Sequence, residues 1–439
     1  MTITEPIKSS HYLYRSREVF SVLVLFFFIL SSSAFAQNNL QFYLDAAVNN
    51  NPSLKENVNL TLISRIDKSI VESQYSLPQI SLTSNYMFTP YFNNGGRILS
   101  GNPDPNAIGY DPSITNGGLY SALINVEKNI FNGGIIDTYK NQHDLKIKSN
   151  ENSSELLKHN IYKDVTDQYL TVIQSQKLFR IAAVLADTIE KQLEITGSLV
   201  RRGIFKQSDY LLLKIEVDNQ KIAAEGFRND LRKNLSDLNT LCGLKDTSLV
   251  DLSDLKLDFA DGKRGAKFLS HFTIDSLQIA NQQDIFETKY KPQVNLFFNT
   301  GLNAVETTDI QKRFGLSAGI NFAMPIYDGD QKNLSRQQAE ISLKTVGAYR
   351  ENQTVQIINK INESKAAINF YKKNLKSLSD QINSYEELLR FARAELSQGQ
   401  RSMTEYITLI RSYLELKKDL AGTESSYQQA INQYNYWNW

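Results

Sequence analysis

The residue types that most often perform chemistry are few in this chain of 439 residues, and they do not form a catalytic pattern. The histidines show neither the His-x-x-x-His nor the His-Glu spacing of a zinc site; they are His11, His143, His159 and His271. The chain also lacks a nucleophile elbow, a P-loop and a dinucleotide-binding glycine fingerprint. Gly133-Gly134 follows a predicted strand and opens a predicted helix, as in a phosphate-binding loop, but a tight strand-to-helix turn explains the pair better. The sequence predicts no enzyme activity, no metal and no cofactor.

Two glycines within helix-forming sequence are followed by polar residues that suit a chain reversal. Arg202-Gly203 precedes Ser208-Asp209-Tyr210, and Gln398-Gly399 precedes Thr404-Glu405-Tyr406. Glycine permits the left-handed backbone that ends a helix, and acidic residues are favoured in the first turn of the next helix. Simple helix capping accounts for these residues, and a further role is left open.

The two turns belong to a sequence that repeats at a fixed distance. Ile130-Phe131-Asn132-Gly133-Gly134 recurs as Ile326-Tyr327-Asp328-Gly329-Asp330. The offset between Gly133 and Gly329 is 196 residues, and the offset between Gly203 and Gly399 is also 196. Between the two glycines of each copy, almost all residues are of helix-forming type. The sequence thus predicts two copies of a strand, a turn and a long helical hairpin.

Proline positions show where long helices can run, because proline breaks helix interiors. None of the nine prolines lies between Pro112 and Pro292, and none follows Pro325. In these stretches apolar residues recur at alternating spacings of three and four, which indicates a coiled coil. In the second copy they are Ile368, Tyr371, Leu375, Leu378, Ile382, Tyr385, Leu389, Ala392 and Leu396. A helix over residues 133–200 is roughly 100 Å long, a length that suits a periplasm better than a globular domain.

Four segments alternate between apolar and polar residues, as strands with one apolar and one polar face do. They lie at about 79–90, 119–131, 293–302 and 314–324. The pattern fits a sandwich strand and also a bilayer-spanning barrel strand. Four strands in a mostly helical chain cannot build a sandwich core alone. Polar loops at 91–118 and 303–313, with tight connections at the other strand ends, favour a barrel.

The N-terminus has the organisation of a secretory signal peptide. Basic residues precede an apolar run over 19–30, and Ala34-Phe35-Ala36 forms a cleavage site before Gln37. We assign residues 1–36 to the signal, with an uncleaved anchor as the less favoured alternative. The remaining chain has no apolar run of about 18 residues that could span a bilayer as a helix.

Bulk composition argues against a nucleic-acid partner and against an intrachain disulfide. The formal charge of +1 gives no reason to expect a nucleic-acid partner. Cys242 is the only cysteine, so the chain has no intrachain disulfide.

Over roughly residues 38–437 the chain resembles the TolC family of outer-membrane efflux and secretion ducts. The resemblance rests on Leu44-x-x-Ala47 with Asn51-Pro52-x-Leu54, on the turns Phe131-Asn132-Gly133-Gly134 and Pro325-Ile326-Tyr327-Asp328-Gly329, and on the two glycine-centred helix turns. Each motif is weak alone, and together with the 196-residue duplication they are specific.

The resemblance implies a mainly α fold with a β-barrel part. Three protomers, each giving four strands, build one 12-stranded barrel in the outer membrane of a Gram-negative bacterium, continued by a periplasmic α-helical barrel. The expected parts are a signal peptide (1–36), a first repeat (37–241, with an N-terminal helix and the hairpin 133–241), a connecting segment (242–270) and a second repeat (271–439, with a helix 271–290 and the hairpin 329–437).

The resemblance also implies roles for individual residues. Arg401 and Asp209 match a bonded pair that holds the family's periplasmic entrance shut, and Glu405 matches one member of an acidic ring there. Thr408 replaces the second acid of that ring, which argues against strong cation selectivity. Helix-hairpin tips that contact a periplasmic adaptor are expected at Arg202, Gly203, Gly399 and Gln400. Strand-to-helix turns are expected at Gly133, Gly134 and Gly329.

The expected function is a homotrimeric duct that exports small molecules or proteins with a periplasmic adaptor and an inner-membrane pump. Its surroundings are the outer-membrane lipid and the periplasm. The alternative is a coiled-coil scaffold of the cell envelope without transport activity, which leaves the four amphipathic strands unexplained. A periplasmic adaptor is less compatible, because it would have one long hairpin rather than two.

Overall fold

Long helices dominate the part of the chain that the structure describes. The computed structural model describes residues 39–101, 108–111, 118–246, 248–262, 264–306 and 310–439. The helices are α1 (Leu40–Asn50), α2 (Pro52–Ser76), α3 (Ile135–Arg201), α4 (Gln207–Leu241), α5 (Ser270–Thr288), α6 (Gln331–Ser397) and α7 (Met403–Trp437). The signal peptide predicted at 1–36 lies outside the described residues, as do Pro103, Pro105 and Pro112 of the predicted polar loop.

The four longest helices have matching lengths. Helices α3 and α6 each contain 67 residues, and α4 and α7 each contain 35. Helix α3 starts and ends 196 residues before α6, and α4 starts and ends 196 residues before α7. A helix of 67 residues is roughly 100 Å long, as the proline-free stretches predict. None of the described helices combines the length and the apolar content that a membrane-spanning helix requires.

The N-terminal helix, predicted as one element, is two helices separated at Asn51. The Asn51 side chain accepts hydrogen bonds from the backbone N–H groups of Ser53 (2.9 Å) and Leu54 (3.1 Å), so it caps α2. Pro52 is the first residue of α2, where the missing proline N–H removes no helical hydrogen bond. The sequence signal for the break was therefore the Asn-Pro pair itself.

The sheet contains four antiparallel strands in the order β1-β4-β5-β6. These are β1 (Gln79–Phe88), β4 (Gly118–Phe131), β5 (Gln293–Ala304) and β6 (Phe314–Ala323). Their registers join Leu82 to Ile124, and Leu296 to Lys128 on one side and to Ile320 on the other. Because side chains alternate between faces, most apolar residues of the four strands lie on one face and most polar residues lie on the other. Lys128 on the apolar face and Phe297 on the polar face are exceptions.

A second, short hairpin lies in the segment predicted as a polar loop. It pairs β2 (Tyr91–Asn94) with β3 (Arg97–Ser100). Gly95 and Gly96 both have positive φ, 58° and 81°, as the central residues of a type I′ hairpin turn do. The paired glycines were the signal for this hairpin, and the polar composition of the loop concealed it.

The described chain divides into two compact units. One comprises the chain up to Lys55, Glu155–Phe268 and Thr354–Trp439, and the other comprises Glu56–Ser154 and Leu269–Gln353. The second unit contains the sheet. The first contains apolar clusters around Tyr169 and Leu238, around Leu213 and Leu396, and around Ile368 and Ile431.

Within the segment that connects the two repeats, residues 248–262 form an extended strap on the first unit. Side-chain amides of the helices satisfy its backbone groups: Gln176 accepts from Leu252 N–H (2.9 Å), Gln428 from Leu257 N–H (2.8 Å) and Asn435 from Ala260 N–H (2.8 Å). This explains why the segment shows no helical or strand period, since its backbone hydrogen bonds go to side chains rather than to a ladder.

Candidate functional site at the helix turns and the strand-to-helix junctions

The two helix turns have the same hydrogen-bond pattern. After α3, Gly203 N–H donates to Val200 O (2.9 Å) and Ile204 N–H donates to Leu199 O (3.0 Å). After α6, Gly399 N–H donates to Leu396 O (3.0 Å) and Gln400 N–H donates to Glu395 O (2.9 Å). Both glycines have positive φ, 75° and 72°. This is the Schellman arrangement that glycine favours at a helix C-terminus.

The acidic residues after the turns cap the return helices. The Asp209 carboxylate accepts from the Lys206 backbone N–H at 3.0 Å. Glu405 accepts from Ser402 N–H, and its own N–H donates to the Ser402 hydroxyl, each at 3.3 Å. The second arrangement is a reciprocal capping box. Capping, the simpler of the two interpretations from sequence, therefore accounts for the contacts of both acids within the chain.

Arg401, expected to bond Asp209, contacts a different acid within the chain. Its Nε donates to Glu395 Oε2 at 2.8 Å, across the second helix turn. The structure of the single chain therefore does not bring Arg401 and Asp209 together. Arg202 and Gln400, the other expected tip residues, are exposed beside the two glycines.

The turns are supported by a shared apolar cluster. Helices α3, α4, α6 and α7 all contribute, with Ile189, Leu213, Val217, Ala392, Leu396, Met403, Tyr406, Ile407 and Ile410. The cluster packs the two hairpins of one chain against each other just behind their turns. The cluster holds the backbone next to the polar tip residues in place, since densely packed interiors resist small displacements.

An ion pair that the sequence analysis missed links α4 to α7. Arg411 donates to Glu216 Oε2 from Nη2 (2.6 Å) and Nε (3.1 Å), and Gln220 donates to Glu216 Oε1 (2.7 Å). The Glu216 side chain is 2% exposed, and the carboxylate raises the pKa of Arg411. The only sequence signal was an acid directly before Val217, an apolar residue within a predicted helix.

The two strand-to-helix junctions repeat one turn. Asn132 accepts from Gly134 N–H (3.1 Å), and Asp328 accepts from Asp330 N–H (3.0 Å). Gly133 and Gly134 have positive φ, as do Gly329 and Asp330, so both helices begin after two left-handed residues. The junctions differ in their surroundings. A Cβ at Gly133 would collide with the Lys291 side chain, whereas the space at Gly329 is open.

A polar network at the second junction fixes the start of α6 against the end of α5. Arg336 donates to both oxygens of Glu287, at 2.7 and 2.9 Å, and lowers the pKa of that carboxyl to about 2. A hydrogen bond from the Tyr290 hydroxyl to Asp328 raises the pKa of Tyr290 to about 12 and lowers that of Asp328. These contacts orient the strand-to-helix turn without offering an acid or base for catalysis. Among the described residues, no group of three or more His, Cys, Asp or Glu side chains is arranged to hold a metal ion.

The sheet presents an apolar face to its surroundings. Leu82 of β1 is 75% exposed and Leu316 of β6 is 74% exposed. On the opposite face, side-chain amides join neighbouring strands: Asn125 donates to Thr83 (2.8 Å) and Asn129 donates to Asn295 (2.9 Å). A sheet of this kind has one face suited to hydrocarbon and one suited to water.

Comparisons with known proteins agree with this geometry. The chain is 22% identical over 429 residues to outer membrane protein TolC of Salmonella enteritidis. The aligned region covers 91% of this chain and 81% of that protein. The chain is 21% identical over 435 residues to outer membrane protein TolC of Escherichia coli strain K12, covering 92% and 82%. No family model matches the chain.

A solved structure shares the fold. The CmeC outer membrane channel of Campylobacter jejuni superposes with a TM-score of 0.69 at 13% identity, over 91% of this chain and 85% of that one. The mainly helical fold with its antiparallel sheet is thus that of a known outer-membrane channel. Both curated relatives are outer-membrane proteins, which confirms the predicted location. Along nine-tenths of its length the chain is similar in sequence to outer membrane protein TolC, and it shares the fold of a solved outer-membrane channel.

Proposed function

We propose that three copies of this chain form an export duct across the outer membrane and the periplasm. The four-stranded sheets of the three chains close into one 12-stranded barrel, with the apolar face toward lipid and the polar face toward a water-filled lumen. The long hairpins extend this lumen as a helical tube. A periplasmic adaptor contacts the hairpin tips, and an inner-membrane pump supplies small molecules or proteins as cargo.

The observation that carries the proposal is the open, two-faced sheet. Among the described strands, β1 pairs only with β4, and β6 pairs only with β5, so each edge offers unpaired backbone groups. Exposed edges and exposed apolar faces are both unfavourable in water. Pairing β6 of one chain with β1 of the next, inside a bilayer, removes both costs. A coiled-coil scaffold without transport activity gives the sheet no such role.

The tip residues would act where three copies meet. Arg401 lies beside the second tip glycine and is bonded to Glu395 within its own chain, whereas Asp209 lies just after the first tip. A bond from Arg401 to Asp209 of a neighbouring copy would hold the entrance closed. The strand-to-helix turns at Gly133, Gly134 and Gly329 would redirect each chain from the barrel wall into the tube.

The proposal is tested with the purified full-length protein. It should be extracted from outer membranes as a trimer and, in planar lipid bilayers, produce discrete conductance steps. A variant with Leu82→Arg and Leu316→Arg should assemble poorly in membranes, because an arginine on the lipid face of a barrel strand costs about 2–4 kcal/mol at mid-bilayer. A water-soluble monomer without conductance would contradict the proposed duct.

A further inference from the structure

Charge is almost absent from the four strands of the sheet. Their only charged residues are Glu127 and Lys128, both on β4 and both exposed. As neighbours in one strand, they point to opposite faces. Lys128 is paired in register with Leu296 and continues the apolar face, whereas Glu127 is paired with Gln79 and Phe297 and belongs to the polar face.

On the polar face, the surroundings of Glu127 are uncharged and mostly polar. Asn125 and Asn129, its neighbours on the same face of β4, donate their side-chain amides to Thr83 and Asn295 of the adjacent strands. The Phe297 ring lies over Gly319, where a Cβ would collide with it. Within the described residues, Glu127 has neither an ion-pair partner nor a side-chain hydrogen bond. Its carboxylate is the single uncompensated charge on the polar face of the strands.

We infer that Glu127 determines the ion selectivity of the duct. The inference rests on the proposed closure of three sheets into one barrel, which turns the polar face into the lumen wall and repeats Glu127 three times at one level. With strands about 4.8 Å apart and tilted by about 40°, a 12-stranded barrel has a backbone radius of roughly 12 Å. The three carboxylates then lie within roughly 10 Å of the axis, about one Debye length at 0.1 M salt.

The size of the effect follows from screened Coulomb attraction. Three unit charges at about 10 Å in water, screened at 0.1 M salt, roughly double the cation concentration on the axis and halve the anion concentration. The expected contribution is a cation-to-anion preference of about fourfold. At 1 M salt the Debye length shrinks to about 3 Å and the preference should nearly vanish.

Lys128 points to the opposite face of the sheet, and Lys291 and Arg313 lie too far along the strands to cancel this ring. Lys291 lies over Gly133, six residues beyond Glu127. Arg313 lies at the other end of the sheet, where its carbonyl accepts from Asn303 N–H, six residues along β5 from Phe297. Six residues of strand span about 20 Å, which is about two Debye lengths at 0.1 M salt. Selectivity thus has a source in the barrel even though Thr408 replaces an acid at the expected entrance.

The experiment measures reversal potentials of the full-length protein in planar bilayers across a tenfold gradient of KCl, at low and at high mean salt. Glu127→Gln should reduce the cation preference about fourfold at 0.1 M, and Glu127→Lys should shift it further toward anions. Glu127→Asp, which keeps the charge, should retain the selectivity of the unmodified protein. Lys128→Gln is the matched control: it changes the charge by one unit, with the opposite sign, one residue away on the opposite face, and it should leave the reversal potential unchanged.

The outcomes separate the inference from the proposed duct. Conducting channels whose reversal potential does not move with Glu127→Gln would overturn the role of Glu127 and leave the duct intact. A change of the same size in the reversal potential of Lys128→Gln would also overturn the role of Glu127, because the effect would then not depend on the lumen face. Absence of conductance in the unmodified protein would contradict the duct and the inference together.

Discussion

Arg401 has two candidate partners, and the choice between them decides whether it acts within one chain or between chains. Within the chain its guanidinium bonds Glu395 at 2.8 Å. One carboxylate oxygen of Asp209 accepts a hydrogen bond from the Lys206 N–H. Further lone pairs stay available, since a carboxylate can accept about four hydrogen bonds. Helix capping and a lock between protomers are thus compatible roles for the same acid.

Variants of these residues distinguish the two roles. If Arg401 bonds Asp209 of a neighbouring copy, Arg401→Ala and Asp209→Asn should both raise the conductance of the trimer. The loss of an ion pair that contributes about 1 kcal/mol shifts the equilibrium between closed and open states roughly fivefold toward the open state. Asparagine retains an oxygen for the Lys206 N–H, so the cap is preserved. Glu395→Gln is the control and should leave the trimer closed. Single-channel currents provide the measurement, and an increase in Glu395→Gln alone would rule out the lock between protomers.

The Glu287–Arg336 pair should make stability depend on pH in the acid range. The pKa of the folded carboxyl is about 2, below its ordinary 4.5, so the pair stabilises the folded chain fully above pH 4.5 and loses this effect as the pH falls toward 2. Glu287→Gln should cost about 1 kcal/mol at pH 7, a value reduced for the exposure of Arg336. The difference in melting temperature from the unmodified protein should shrink steadily below pH 4.5. Glu363→Gln, which removes an exposed pair with Lys360, should show little difference at any pH, and a constant deficit in Glu287→Gln would contradict the assignment.

At the scale of elements, the sequence was most informative where local physics decides the structure. Proline-free stretches predicted the long helices, and period-2 alternation predicted the four main strands, because both signals are local. The strap after Leu241 was not predictable, since its backbone is satisfied by side chains of distant helices such as Gln176 and Gln428. The Glu216–Arg411 pair joins residues 195 apart, and neither residue marks the other in the sequence.

The two strand-to-helix turns should tolerate substitution unequally. Alanine at Gly133 or Gly329 must adopt a positive φ, which costs about 1–2 kcal/mol. At Gly133 the added Cβ must also displace Lys291, so Gly133→Ala should destabilise the trimer more than Gly329→Ala. Gly347→Ala, within α6 and in open space, is the control and should stabilise by about 0.5–1 kcal/mol. Thermal denaturation of the detergent-solubilised trimer ranks the three variants, and equal losses at Gly133 and Gly329 would show that Lys291 yields without cost.

At the scale of the whole molecule, the proposed barrel follows from the two faces of one sheet. A single chain leaves both edges and the apolar face uncovered, and only assembly within lipid covers all three. The register fixes which residues face each medium: Asn125 and Ser81 belong to the polar face, and Ile124 and Leu82 to the apolar face. The orientation of the sheet can therefore be measured residue by residue.

Single cysteines on β1 and β4 should report this orientation with little background. Cys242, the only native cysteine, is fully buried, and burial raises its pKa to about 12, so its reactive thiolate is scarce at neutral pH. The test uses liposomes that contain the assembled protein and a charged, membrane-impermeant maleimide. The reagent should label Ser81→Cys and Asn125→Cys about tenfold faster than Leu82→Cys and Ile124→Cys. Thiols in hydrocarbon neither ionise nor come into contact with the reagent, which explains the difference. All four variants should react alike once the protein is unfolded in SDS, which controls for intrinsic reactivity. Equal labelling of both faces in liposomes would mean that water reaches both sides of the sheet, an outcome incompatible with a lipid-embedded barrel.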